Sequence, residues 1–299
     1  MINLMPMNGC RLLNQAHHHT HLLLKRVLTA MRFRPLSPLI QKRYLFPRHL
    51  LPAPSSLQPE LASMSETEIK KSEITLYTAP TPNGFKVAAF MEELKSAYGF
   101  EYEVRAIQTA HLEHKEPWFL AINPNGRIPA IVDRSRDNFA VFETAAILLY
   151  LQEHYDPENK FGWDPKENPD EYTEMLQWIF FAHGGVGPMQ GQLMHFRNAA
   201  TEKIPYGIEL YMNEVKRLYG VLDIRLGQDR DYLAGPGRGM YSIADMNVLP
   251  WFRIREYAGI PSLEEWPNSW CENNLSRPTW AIAGNVGRDS TNANLYRVE

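Results

Sequence analysis

The sequence predicts an α/β unit with a mixed sheet, then an all-α domain, behind a basic N-terminal extension. Three observations carry this. From Glu73 to Leu151 short β-type runs and helical stripes follow one another in the order β-α-β-α-β-β-α. Past Asp170 no β-type run recurs, and apolar residues return at three/four spacing. Up to Pro59 there is no Asp or Glu, yet Arg11, Lys25, Arg26, Arg32, Arg34, Lys42, Arg43 and Arg48 occur.

The elements follow in order. Ile74–Thr78 is a short β-type run ending in Ala79-Pro80-Thr81-Pro82-Asn83-Gly84. Val87, Phe90, Met91, Leu94 and Tyr98 then mark one helix face, and Gly99 closes that helix. Tyr102, Val104 and Ala106 alternate as a second strand. An irregular helical piece from His111 to Ala121 precedes the turn Asn123-Pro124-Asn125-Gly126. Ile128–Val132 and Phe139–Phe142 read as a hairpin, and a helix opens at Glu143-Thr144. Asp156–Asp170 has linker composition. Beyond it, a helix carrying Met175 and Ile179 is interrupted at Gly184–Pro188. Ile208 to Leu222 form a long stripe, and Ser242-Ile243-Ala244-Asp245 is a capping-box variant ahead of another helix. Trp178, Phe180 and Phe181 read as core or pocket wall. The expected organisation is extension 1–71, α/β domain 72–156, linker 157–170, helical domain 171–288 and tail 289–299.

Composition bounds the function. With 299 residues, 44% hydrophobic and 22% charged, the chain is neither collagen-like, a coiled coil nor wholly disordered. The longest apolar run, Ala145–Leu151, falls far short of the roughly 18 residues of a membrane span. Cys10 and Cys271 supply neither a disulfide framework nor a CxxC metal site, and fit a reducing compartment. From Glu60 onward the chain holds 23 of the 31 basic residues and all 34 acidic ones, a net charge of −11. An acidic body argues against nucleic acid as the main partner.

The extension is Arg-rich, acid-free and amphipathic around Leu24, Val27, Leu28 and Met31, the pattern of a mitochondrial transit peptide. The alternatives are a tail without structure, or translation starting at Met64. The expected location is mitochondrial in the first case and cytoplasmic with a Met64 start. His17, His18, His19 and His21 lack the carboxylate or Cys that would complete a metal site.

Read from the residues alone, Pro82-Asn83-Gly84 is a strand-to-helix turn, Pro129 opens a strand, and Glu143 places an acid at a helix start. His114 reads as a surface histidine.

The segments ITLYT (74–78), APTPNGFK (79–86), NPNGRIPAIVD (123–133), FETAAILLYL (142–151), GPMQGQLMHF (187–196) and YSIAD (241–245) resemble glutathione transferases. Within them they resemble the subgroup of the fungal nitrogen-catabolite regulator and the bacterial Nu-class disulfide reductases. The resemblance spans Glu73 to Arg288. It implies a thioredoxin-like N-terminal domain, an all-helical second domain and a homodimer. It also implies an enzyme that uses glutathione, without a metal, to conjugate a hydrophobic electrophile or to reduce a disulfide or peroxide. The alternatives are a non-catalytic glutathione-binding regulator or a specialised transferase of fungal secondary metabolism. The regulator's role depends on an Asn/Gln-rich extension, whereas this one is rich in Leu, Pro and Arg.

Glutathione brings two carboxylates, a peptide and a thiol of free pKa near 8.5. The resemblance puts thiol activation in the loop at Thr81 and Asn83, whose hydroxyl or amide would donate to the thiolate beside a helix N-terminus. A cis Pro129 would turn the Ile128 backbone to the cysteinyl part. Thr144 would hold the γ-glutamyl carboxylate and Glu143 the amine. His114 and Lys115 would meet the glycyl end. His195 and Arg197 would face the second substrate, the alternative being that they are polar residues at a helix end. Leu210 stands where many relatives carry Arg.

Overall fold

The computed structural model describes residues 73–260 and 268–288. The extension with its histidine cluster, Cys10, Met64 and the transit-peptide pattern lies outside them, as does the tail from residue 289.

Strands β1 (Ile74–Thr78), β2 (Tyr102–Ala106), β3 (Ala130–Asp133) and β4 (Phe139–Phe142) form one sheet in the order β2-β1-β3-β4. β1 pairs parallel with β2 and antiparallel with β3, and β3 pairs antiparallel with β4. Helix α1 (Pro82–Tyr98) joins the parallel pair, as a parallel pair requires. Gly99 ends α1 with φ of 70°, a left-handed cap that glycine adopts freely. The irregular piece resolves into 3-10 turns at Thr109–His111 and Glu113–Lys115, then α2 (Pro117–Ile122). Helix α3 (Thr144–Tyr155) follows β4.

The pleat divides the core. Ile74, Leu76 and Ile131 face α1 and α3, while Ala130 meets Ile107 and Phe119 on the other face, with Tyr77 packed there between Trp118 and Phe119. This makes Tyr77 a packed strand tyrosine.

The second half is helical: α4 (Pro169–Phe181), α5 (Gly187–Met194), α6 (Pro205–Leu226), α7 (Ile243–Arg253), α8 (Asn268–Leu275) and α9 (Pro278–Ala283). The Gly184–Pro188 segment does not break the helix as its glycines and proline predict. Ala182–Val186 widens into a π turn, with Gly187 N–H reaching back to the Ala182 carbonyl, and the chain runs on helically through Pro188 into α5. The capping box at Ser242 forms in full. Asp245, wholly buried, accepts from Ser242 N, Leu233 N and Trp270 Nε1 at 3.1, 3.0 and 2.8 Å. Burial pushes its carboxyl up to about 6. Trp178 and Phe181 pack against the core, but Phe180 is 57% exposed, because helix periodicity turns it outward.

One hydrophobic core runs through both halves. Helix α1 is its centre, packed against α7 and α9. Its buried Glu93 accepts both guanidinium nitrogens of Arg277 at 2.6 and 2.8 Å and the Thr279 hydroxyl at 2.6 Å. Such a pair fixes geometry, since desolvation offsets much of its attraction.

Candidate functional site

The site begins where β1 hands the chain to α1. Thr81 caps that helix, its Oγ1 accepting from Gly84 N–H at 3.1 Å, and Pro82 takes the first helical position. Position 84 must be glycine: a Cβ there would lie 2.2 Å from the Ala79 carbonyl oxygen and 2.4 Å from Thr78 Oγ1. The tight turn leaves Asn83 in the first turn of α1, at the positive end of the helix. The Asn83 side-chain oxygen accepts from Trp251 Nε1–H of α7 at 3.3 Å.

Asn83 lines a cavity of about 630 Å³ between the sheet unit and the helices, within the range of small-molecule sites. The sheet side contributes Ile128 and Pro129, joined by a cis peptide, and Arg127 beside them. Glu143 and Thr144 close it at the start of α3, and α5 adds Pro188 and Gln192. The exposed His195, next in the chain after α5, lies at its edge.

The α3 end is densely ionisable. Glu143 precedes the helix with φ of 70° and ψ of 122°, a conformation costly for a residue with a Cβ, which the surroundings must hold. His183 of the π turn holds it, with Nε2 3.2 Å from Glu143 Oε2. Nδ1 of the same ring lies 3.5 Å from Thr144 Oγ1. Burial first, and the nearby Lys86 second, lower the His183 pKa below 6.5 against the pull of Glu143. The ring is therefore neutral at pH 7. Its Nε2–H donates to Glu143, and Nδ1 accepts from the Thr144 hydroxyl. Lys86 of α1 also lines the cavity. It is fully buried, and desolvation brings its amine down to about 7 although Glu143 opposes that shift. Cationic and N–H groups outnumber the single carboxylate, which suits a ligand with more carboxylates than amines.

The structure brings Asn83, Ile128, Pro129, Glu143, Thr144 and His195 around one cavity. Four expected residues lie off it. Thr81 spends its oxygen on the cap and lines a separate notch with Phe85 and Arg253. Lys115 donates to the Gly126 carbonyl at 2.6 Å and so braces the Asn123–Gly126 turn from outside the cavity. His114 packs against the same glycine, its Nδ1 buried without a partner and its pKa lowered by burial, then by Lys115 and Arg127. Arg197 lays its guanidinium over Gly259, where a Cβ would lie 2.1 Å from its Cζ.

Sequence reasoning missed Lys86, Arg127, His183 and Trp251. Lys86 and Arg127 sit inside the quoted segments APTPNGFK and NPNGRIPAIVD, so a charged residue within a motif was the available signal. His183 had only the double glycine beside it. For Trp251 there was no local signal.

Residues 72–153 match the family model described as glutathione S-transferase, N-terminal domain. The disulfide-bond oxidoreductase YfcG of Escherichia coli is 40% identical over 211 residues, which are 69% of this chain and 91% of that protein. The transcriptional regulator URE2 of Saccharomyces cerevisiae is 32% identical over 229 residues, and the match spans 66% of this chain and 63% of the regulator. Among solved structures, a glutathione transferase homologue from Lodderomyces elongisporus, crystallised with two GSH per subunit, superposes with a TM-score of 0.65 at 37% identity. That superposition covers 72% of this chain and 98% of the homologue.

Proposed function

This chain belongs to the glutathione S-transferase family, and from that membership we propose that it is an enzyme that binds glutathione in the cavity and activates its thiol. One observation carries the reading: a single cavity collects the Asn83 turn, the cis Ile128–Pro129 corner and the Glu143-Thr144 helix start. These are the three groups an extended, anionic thiol peptide needs.

In this reading the γ-glutamyl amine pairs with Glu143. Its carboxylate sits at the N-terminus of α3 on the Thr144 N–H and on the Thr144 hydroxyl, whose one proton turns from His183 Nδ1 to the ligand, with Lys86 close by. The Ile128 backbone pairs with the cysteinyl unit like one rung of a ladder. Arg127, which lines the cavity, meets the glycyl carboxylate. The Asn83 amide donates to the sulfur, which loses its proton to solvent. The thiolate then attacks either of two substrates. At an electrophilic carbon it forms a thioether as the leaving group departs with the bond pair. At a disulfide sulfur it forms a mixed disulfide and expels the other thiolate. The second substrate enters by Pro188, Gln192 and His195. The reading includes a homodimer. Edge strand β4 exposes Phe139 and Phe142, the kind of apolar edge that a partner covers.

Calorimetric titration of the chain with reduced and oxidised glutathione tests the binding. Assays on a model aryl halide and on a hydroxyethyl mixed disulfide then test the chemistry. Saturable binding with turnover on either substrate is the expected result. No binding of either form would overturn the reading. Binding without turnover would favour a regulator, in keeping with the URE2 similarity. Light scattering should give twice the chain mass.

A further inference from the structure

We propose that Trp251 is a positioning residue for thiol activation: its indole N–H sets which end of the Asn83 amide faces the cavity. The inference rests on the reading that Asn83 donates to the glutathione sulfur.

An asparagine side chain ends in two groups of nearly equal size and opposite hydrogen-bonding sense. Rotation by half a turn exchanges a donor for an acceptor. Facing a thiolate, the NH2 end stabilises the negative charge and the oxygen end repels it, so the sign of the effect depends on that rotation. The indole nitrogen can only donate. Its 3.3 Å contact with Asn83 is therefore made with the amide oxygen, and the NH2 end is the one left for the cavity that Asn83 lines.

The backbone of Trp251 is itself held. The Trp251 carbonyl accepts from Gln190 Nε2 at 2.8 Å, and Gln190 Oε1 accepts from the Tyr219 hydroxyl at 2.7 Å. Gln190 and Tyr219 are fully buried. The Trp251 carbonyl can only accept, so it fixes the NH2 end of Gln190 towards α7 and leaves the Gln190 oxygen to the Tyr219 hydroxyl, a buried brace on the backbone that carries the indole. Helix α5 leaves room for it. A Cβ at Gly187 would lie 2.9 Å from Trp251 Nε1, and one at Gly191 3.7 Å from the ring. Gly187 is thus where the helix admits the indole to its place beside Asn83.

The test compares the whole chain with Trp251→Phe, Asn83→Ala and the double variant. Trp251→Phe keeps the aromatic ring and removes the N–H. The readouts are ultraviolet thiolate absorbance of bound glutathione against pH, and kcat and KM on the aryl halide. In the parent chain the bound thiol should titrate below its free value near 8.5. Trp251→Phe should move that midpoint upward and lower kcat several-fold, to about ten-fold, with KM within about two-fold. The double variant should be no worse than Asn83→Ala alone, because both changes remove one device. Gly187→Ala, which displaces the indole without removing it, should shift the midpoint in the same direction. If Asn83→Ala raises the midpoint while Trp251→Phe and Gly187→Ala leave it unchanged, Trp251 only packs and the inference is wrong. If Asn83→Ala itself leaves the midpoint unchanged, the reading of Asn83 fails and takes the inference with it.

Discussion

The two ends of the cavity are built from different chemistry. The Asn83 end uses neutral groups: an amide, an indole and the first turn of α1. The Glu143 end uses ionisable ones, with Lys86 and His183 packed around a carboxylate. Neutral donors keep their sense at every physiological pH, which suits a group that must face a developing thiolate. Ionisable groups give stronger contacts to a zwitterionic amino-acid end and make the grip depend on protons. At both ends the ligand-facing side chain comes from the sheet unit and its support from the helical domain: Trp251 behind Asn83, His183 behind Glu143 and Thr144.

That contrast breaks first on turnover. Asn83→Ala should lower kcat by roughly 10²-fold, the scale of one preorganised donor, with little change in glutathione KM. Glu143→Ala should do the reverse: KM up by about ten-fold or more and kcat nearly kept. Steady-state kinetics with glutathione varied decides between them. Equal effects on both parameters in both variants would mean that the ends share one role.

Proton linkage comes next. Lys86 holds its amine at about 7 in the folded chain, against 10.5 for an ordinary lysine. Between those values the unfolded chain binds more protons. Stability contributed by this group is therefore lowest below pH 7, where a buried ammonium must be carried, and rises with pH towards 10. Lys86→Met should flatten that rise by a few kcal/mol, measured as the difference in denaturant midpoints at pH 6.5 and 9. A ligand carboxylate at α3 should restore the charge. S-methylglutathione, which has no thiol proton to release, should bind at pH 7.5 with net proton uptake. The uptake appears as a calorimetric enthalpy that changes with buffer, and Lys86→Met should abolish it.

The smallest effect sharpens the comparison most. His183→Gln keeps a donor for Glu143 and an acceptor for Thr144, and should cost glutathione affinity less than about three-fold. His183→Leu should cost about five- to ten-fold, since it removes the donor to Glu143 Oε2 and leaves only the longer contact from Asn125 Nδ2. Titrations at pH 7.5 measure both. Indistinguishable affinities would show that the ring merely fills space.

Much of the order of elements was legible in both halves because its signals are local. The Thr81-Pro82-Asn83-Gly84 turn, the Gly99 cap, the hairpin and the Ser242–Asp245 box each depend on residues within a few positions of one another. The candidate site was half legible for the same reason. Asn83, Ile128, Pro129, Glu143 and Thr144 lie at element starts, where backbone groups are free to bind. The places of Lys115 and Arg197 were not legible, because a charged side chain near a motif says nothing of which groups it will meet: Lys115 meets a turn carbonyl, and Arg197 lies over a glycine.

By itself the sequence determined the order of elements, their caps and turns, and the loop that presents Asn83 at a helix N-terminus. Propensity, periodicity and capping act over one or two turns of chain, so they can be read without knowing the fold. Only the tertiary structure decided that Lys86 is buried at the cavity, that His183 reaches Glu143 across 40 residues of sequence, and that Trp251 stands behind Asn83 across 168. Those contacts arise where a shared core draws distant helices together, and no local rule encodes which polar groups that packing will leave face to face.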